Sequence, residues 1–131
     1  MSQSISKLRD PLARARGLGS AKGGTHHWWV QRLTAVALAL LTPWFLWLAL
    51  RLLSADQTTM RLTLAQPLNA TLMLAFVVAL FWHTKLGIQV VIEDYVHTPW
   101  IEITAQILVS FACALGALAS IVAIGRLVFS A

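Results

Sequence analysis

Charged side chains are scarce in this 131-residue chain: they make up 11% of it, whereas apolar residues make up 58%. Soluble domains average about 25% charged residues, so the composition argues against a water-soluble globular protein. Three apolar stretches, residues 29–53, 67–92 and 100–129, are each long enough for one membrane-spanning helix, which needs about 20 residues. A membrane-spanning sheet must close into a barrel, which three strands cannot do. We therefore expect an all-α fold, an integral membrane three-transmembrane-helix bundle that forms a single domain over residues 1–131.

Cysteine is nearly absent as well, since the chain contains only Cys113. A single thiol forms no intrachain disulfide, and it cannot by itself hold an iron–sulfur cluster or a structural zinc ion. The sequence also lacks a dinucleotide fingerprint, and the glycines of residues 17–24 are not followed by the Lys-Ser/Thr pair of a phosphate-binding loop. The sequence therefore predicts neither an iron–sulfur cluster nor a dinucleotide-binding site within this chain.

Acidic residues are almost missing from the start of the chain. Asp10 stands alone there against six basic residues: Lys7, Arg9, Arg14, Arg16, Lys22 and Arg32. Such a segment can bind nucleic acid or a membrane surface, but beside a membrane-spanning helix the positive-inside rule explains it most simply, without nucleic acid. The rule predicts a basic cytoplasmic tail over residues 1–24, the loop 54–66 outside, the loop 93–99 inside and the C-terminus outside. The tail has no apolar core of a signal peptide, and a mitochondrial presequence is the weaker alternative.

One of the four histidines is placed unusually deep. His83 lies inside the second predicted span, about 14 Å from the inner end of that helix at 1.5 Å per residue. An ionisable side chain at that depth indicates a functional site. A neutral imidazole there can bind haem iron or another metal, relay protons, or form a hydrogen bond with a neighbouring helix. A six-coordinate haem needs two axial ligands, so the second would have to come from another chain.

Three further groups of polar residues lie in or beside the spans. Lys85 either extends its ammonium group towards the interface or pairs with an anionic group of a cofactor or partner. The run Glu93–His97 places two carboxylates, a phenol and an imidazole at the inner surface, which suits the reduction of a quinone, although a solvated loop would have the same composition. His26, His27 and Arg32 can hold carboxylates such as haem propionates, or can simply set the topology.

Two motifs together resemble a known family. Residues 24–35, Gly-Thr-His-His-Trp-Trp-Val-Gln-Arg-Leu-Thr-Ala, look like the beginning of its first helix, and residues 83–96 look like its H-x3-G-x6-D-Y-V signature. The family is the small hydrophobic membrane anchor of succinate dehydrogenase (succinate:quinone oxidoreductase, respiratory complex II). Length, the number of spans and the predicted topology also fit, so that the resemblance covers roughly residues 20 to 131.

The resemblance implies roles for individual residues. His83 would be an axial ligand of haem b, opposite a histidine of the cytochrome b subunit. Tyr95 would contact the quinone, expected to be ubiquinone, with Asp94 in the proton-handling part of that site. His26 and Arg32 would lie near the haem propionates. The resemblance assigns no role to His27 or Lys85.

The resemblance also implies a division of labour between chains. A flavoprotein and an iron–sulfur protein would bind at the inner face, while this chain would anchor them, share the haem and contribute to quinone reduction without itself oxidising succinate. The expected location is a bacterial inner membrane, with the mitochondrial inner membrane as the alternative. Two other classes remain open on the residues alone: a structural or assembly helper without haem, and a small transporter subunit that uses His83 and Lys85 in a proton or substrate path.

Overall fold

The computed structural model of the chain describes residues 24–130. These residues form four helices: α1 (Gly24–Leu52), α2 (Gln57–Ala65), α3 (Pro67–Tyr95) and α4 (Pro99–Phe129). Over this range there is no strand, and the predicted all-α fold is confirmed. The basic tail predicted for residues 1–24 lies outside the described residues except for Gly24.

The three long helices are apolar enough to cross a membrane. They contain 29, 29 and 31 residues, so each is about 45 Å long and extends beyond a hydrocarbon core of about 30 Å. The helices predicted over 29–53, 67–92 and 100–129 are confirmed, but α1 begins five residues earlier and α3 ends three residues later. Helical backbone at the ends can continue into the headgroup region, where hydropathy no longer marks it.

The connection between α1 and α3 was predicted as a loop over residues 54–66, and this prediction is wrong because α2 occupies most of it. The Asp56 carboxylate caps α2 by accepting hydrogen bonds from the backbone N–H groups of Thr58 and Thr59, at 3.2 and 3.4 Å. The Thr59 side chain also bonds to this carboxylate, and together these hydrogen bonds lower the pKa of Asp56. Asn69 Nδ2 donates to the Thr63 carbonyl oxygen at 2.8 Å and ties α2 to the first turns of α3.

Helix α3 is the centre of the fold. It packs against α1 on one side and α4 on the other, whereas α1 and α4 have at most marginal contact. Phe45 of α1 stacks on Phe76 of α3, with ring centroids 4.7 Å apart. Because lipid is as apolar as leucine, helices in a bilayer associate through close packing and hydrogen bonds rather than through removal of apolar surface from water. Most apolar side chains of α1 and α4 accordingly remain at the surface of the single chain.

The contact between α3 and α4 is closest at Gly116. This glycine belongs to a series of small residues spaced four apart, Ala112, Gly116 and Ser120, which is a pattern typical of close helix approach. A Cβ atom placed on Gly116 would lie 2.5 Å from Cε1 of Phe81 on α3. The absence of a side chain at this position therefore lets the Phe81 ring lie against the backbone of α4.

We expect Gly116→Ala to destabilise the packing of α3 on α4 by about 1–3 kcal/mol, the usual cost of forcing a methyl group into a filled contact. Gly125→Ala in the same helix is the matched control, because apart from its chain neighbours and the adjacent backbone of α4 no atom of the described chain lies within 4 Å of its Cβ position. That variant removes a helical glycine without a clash and should gain up to about 1 kcal/mol. Thermal unfolding of the detergent-solubilised chain measures the stability of both variants. Equal melting temperatures for Gly116→Ala and Gly125→Ala would contradict the close contact at Gly116.

Candidate functional site

The deep histidine lies at the interface between α3 and α1. His83 is half-buried, and its Nδ1 atom lies 3.1 Å from Oγ1 of Thr34 on α1. Helix α3 continues to Tyr95, three residues beyond its predicted end. His83 therefore lies about 18 Å from that end of the helix, compared with about 14 Å predicted from the sequence. The imidazole is thus held by a polar contact near the middle of an apolar helix.

Helix α1 presents a row of three polar residues to α3: His27, Gln31 and Thr34. They are spaced four and three residues apart, which places them on one face of a helix. His27 Nε2 and Gln31 Oε1 are buried without a hydrogen-bond partner in the described chain. Gln31 Nε2 lies 3.8 Å from the Cβ position of Gly87, one turn from His83. We call these three residues the polar row.

Sequence reasoning missed two members of the polar row and left the third, His27, without a role. Gln31 and Thr34 belong to the motif of residues 24–35, but no role was predicted for either of them. Their spacing relative to His27 was a signal, because polar residues at helical spacing within an apolar helix indicate a face that packs against protein rather than lipid. What that face contacts could not be read from α1 alone.

His26 and Arg32 lie beside the polar row rather than within it. Both are exposed, and six residues of helix separate them, which places them about 120° apart around α1. The Arg32 guanidinium lies over the ring of Trp28 at 5.3 Å from its centroid, an arrangement that steadies a cation by attraction to the aromatic face. The two residues could approach an anionic group from different sides, but within this chain they do not meet His83.

The acidic and aromatic residues at the far end of α3 are helical, so the loop predicted over residues 93–99 shortens to 96–98. Asp94 and Tyr95 are exposed in the last turn, and 78% of Tyr95 is accessible. His97 Nδ1 lies 3.2 Å from the Tyr95 carbonyl oxygen, and Gln89 donates to the Glu93 carboxylate at 2.8 Å. Asp94 and the Tyr95 phenol are therefore available to a molecule or subunit outside this chain.

Lys85 belongs to a different face of α3. It lines a groove of about 440 Å³ between α3 and α4, together with Phe81 and Cys113, and also an adjoining polar groove of about 220 Å³ with Gln89 and Gln106. A separation of two residues along a helix means that Lys85 points about 160° away from His83. Lys85 therefore lies at the α3–α4 groove and not on the side of α3 where His83 meets α1.

The residues present fit one half of a haem site. The hydrogen bond of the His83 ring is made by Nδ1, and imidazole binds iron through either nitrogen when the other is held in this way. The other histidines of the chain, His26, His27 and His97, lie at the helix ends, and no three His, Cys, Asp or Glu side chains cluster within residues 24–130. A second axial ligand would have to come from another chain.

The fold and the placement of polar groups define a class: a small three-span membrane protein with open helix faces and one mid-membrane imidazole available as a ligand. Such a chain is suited to be one membrane subunit of a larger complex. It belongs to the family described as succinate dehydrogenase/fumarate reductase transmembrane subunit, whose model matches residues 6–118. The resemblance inferred from the two sequence motifs is therefore confirmed.

Individual relatives agree with this membership. The chain is 37% identical over 117 residues to the succinate dehydrogenase hydrophobic membrane anchor subunit of Rickettsia bellii, an alignment that covers 89% of this chain and 94% of the relative. It is 35% identical over 85 residues to the protein of the same name from Paracoccus denitrificans, covering 65% of this chain and 66% of the relative. No solved structure gives a significant match. With three apolar helices and bacterial relatives, the chain is a multi-pass protein of a bacterial inner membrane.

Proposed function

We propose that the chain is the hydrophobic membrane anchor of a succinate:quinone oxidoreductase, in which it supplies one axial ligand to haem b and part of the quinone site. The observation that carries the proposal is the half-buried His83 imidazole, engaged by Thr34 through Nδ1 at mid-membrane. Family membership supports the anchor role, and this geometry supports the haem role.

The haem half of the proposal assigns three residues. His83 would bind the iron together with a histidine of the cytochrome b subunit, and Arg32 and His26 would hold the propionates. When bound, haem supplies a one-electron carrier between the two chains. Arg32 and His26 are exposed near the beginning of α1, at the membrane face where the propionates would meet water. Charge-assisted hydrogen bonds from such donors to carboxylates are among the stronger hydrogen bonds.

The quinone half assigns Tyr95 and Asp94. Their exposure at the end of α3 leaves the phenol free to donate a hydrogen bond to a carbonyl oxygen, and the carboxyl group free to exchange protons with water. A flavoprotein and an iron–sulfur protein would bind at the same membrane face and deliver electrons from succinate. With one cysteine and no dinucleotide fingerprint, this chain does not itself hold the groups those steps need.

Purification in mild detergent tests the proposal as a whole. We expect a coloured four-chain complex with a reducible b-type spectrum, containing this chain, a cytochrome b subunit, an iron–sulfur protein and a flavoprotein. A colourless chain that binds none of them would indicate a structural helper instead. Transport by the chain alone, without a flavoprotein partner, would indicate a transporter subunit.

The membrane orientation is part of the proposal: the N-terminus lies inside and the C-terminus outside. Six basic residues against one acid near the N-terminus support it, because positively charged segments are retained on the cytoplasmic side. A phosphatase reporter fused after Ala131 should be active in the periplasm, and a reporter that folds only in the cytoplasm should be inactive there. The opposite pair of results would move Asp94 and Tyr95 to the face away from the soluble subunits.

A further inference from the structure

The Thr34 hydroxyl oxygen has three polar neighbours. The Val30 carbonyl oxygen lies 2.9 Å away, the Gln31 carbonyl oxygen 3.1 Å away, and His83 Nδ1 3.1 Å away. The first two are contacts within α1, of the kind that serine and threonine commonly make with the preceding turn. The third crosses to α3, over a separation of 49 residues in sequence.

These three contacts determine which atom carries each proton. A hydroxyl group has a single hydrogen, and carbonyl oxygens only accept hydrogen bonds. If the hydrogen pointed at His83, the hydroxyl oxygen would face two carbonyl oxygens at close range with no proton between them. The hydroxyl group therefore donates within α1, its lone pair faces His83, and His83 Nδ1 must be the protonated nitrogen. The imidazole then carries its free lone pair on Nε2.

We propose that Thr34 is a positioning residue that holds His83 in the Nδ1–H tautomer and so presents Nε2 as the metal-binding atom. No water is present at the centre of a bilayer to exchange the two tautomers freely, and an unpartnered N–H group there is costly. Histidines that bind metals usually donate their other N–H to a protein acceptor, which fixes the ring and strengthens the ligand. The tautomer follows from the three contacts of the Thr34 hydroxyl group, while its role in binding a metal rests on the proposed function.

Two substitutions separate the hydroxyl group from the rest of the side chain. Thr34→Val keeps the branched shape and removes the acceptor, so that Nδ1–H loses its partner. Thr34→Ser removes a methyl group and keeps the acceptor. Thr71→Val on α3 is the matched control, because Thr71 makes the same contact with its preceding turn, at 2.7 Å to the Pro67 carbonyl oxygen, and is exposed.

The tautomer can be measured without haem. The full chain, expressed without other subunits and labelled with ¹⁵N-histidine, is placed in lipid bilayers for solid-state NMR, and His83→Gln identifies the signals of His83. We expect protonated Nδ1 and unprotonated Nε2 in the wild type, in Thr34→Ser and in Thr71→Val. Thr34→Val should shift the population towards Nε2–H. A wild-type Nε2–H tautomer, or a Thr34→Val spectrum like that of the wild type, would overturn the inference.

A second measurement in the assembled complex separates this inference from the proposed function. Without the hydrogen bond, the imidazole is a weaker donor to ferric iron, so the haem potential of Thr34→Val should become more positive, with Thr34→Ser near the wild type. If the complex contains no haem, the proposed haem role fails, whereas the NMR result still decides the tautomer. If His83 binds haem but Thr34→Val changes neither the tautomer of His83 nor the haem potential, the inference alone is wrong.

Discussion

Replacing His83 by leucine should eliminate the low-spin b-type haem spectrum of the assembled complex. Leucine keeps α3 apolar and of similar bulk, but it has no atom that can bind iron. Haem in the variant should be absent, or bound through the partner's ligand alone and therefore high-spin. The complex should also lose stability, because in the proposed site the haem links two chains. Optical spectra and electron paramagnetic resonance of the purified complex report both the haem content and its spin state.

Lys85→Leu is the matched control for this experiment. It introduces the same leucine side chain two residues away from His83. Lys85, however, lines the groove between α3 and α4 and does not lie at the α1 interface, where His83 contacts Thr34. Its low-spin spectrum should match that of the wild type. An unchanged low-spin spectrum in assembled His83→Leu would show that another residue binds the iron. Loss of the spectrum in both variants would point to general disruption of α3.

Replacing Tyr95 by phenylalanine should lower succinate:quinone reductase activity by roughly 100-fold. The ring remains and only the phenolic O–H is lost, which in the proposed site polarises a quinone carbonyl and stabilises negative charge as reduction begins. The loss of one such donor typically costs about 3 kcal/mol. Electron transfer from succinate to an artificial acceptor that reacts before the membrane should stay near the wild-type rate, since the flavin and iron–sulfur centres are untouched.

Trp100→Phe is the control for Tyr95→Phe, because Trp100 is 83% exposed at the neighbouring end of α4 and is a second aromatic residue at the same membrane face. Its quinone reductase activity should be close to that of the wild type. Normal activity of Tyr95→Phe with both acceptors would make Tyr95 an ordinary interfacial aromatic residue. A parallel fall with both acceptors would indicate impaired assembly and would remove the support that this experiment gives to the quinone site.

Much of the fold was predictable because it depends on local properties of the chain. A continuous apolar run of about 20 residues has few alternatives in lipid, so the three spans agree with α1, α3 and α4 to within five residues at each end. Helix α2 was missed because nine residues of mixed polarity do not stand out by hydropathy. Its N-cap, Asp56, was visible in the sequence but was read as a loop residue.

The candidate site was predictable only in part. The depth of His83 and the order of residues 83–96 identified the residues proposed here for haem and quinone, and those assignments stay predictions. The tertiary structure added the other side of the His83 contact, since Thr34 is 49 residues away in sequence and is one of several threonines in the helices. It also placed Lys85 beside the groove between α3 and α4, whereas spacing along α3 shows only that Lys85 and His83 lie on different faces.

Hydropathy and helical rise act over short distances along a single chain, so they are enough to predict a three-span membrane protein with one deep imidazole. They are not enough to predict that α3 lies between α1 and α4, that Gly116 is a close contact while Gly125 is open, or that His83 meets Thr34. These contacts depend on tertiary packing because lipid does not distinguish one apolar helix face from another. The faces that meet are selected by the fit of side chains and by paired polar groups, which belong to two helices at once.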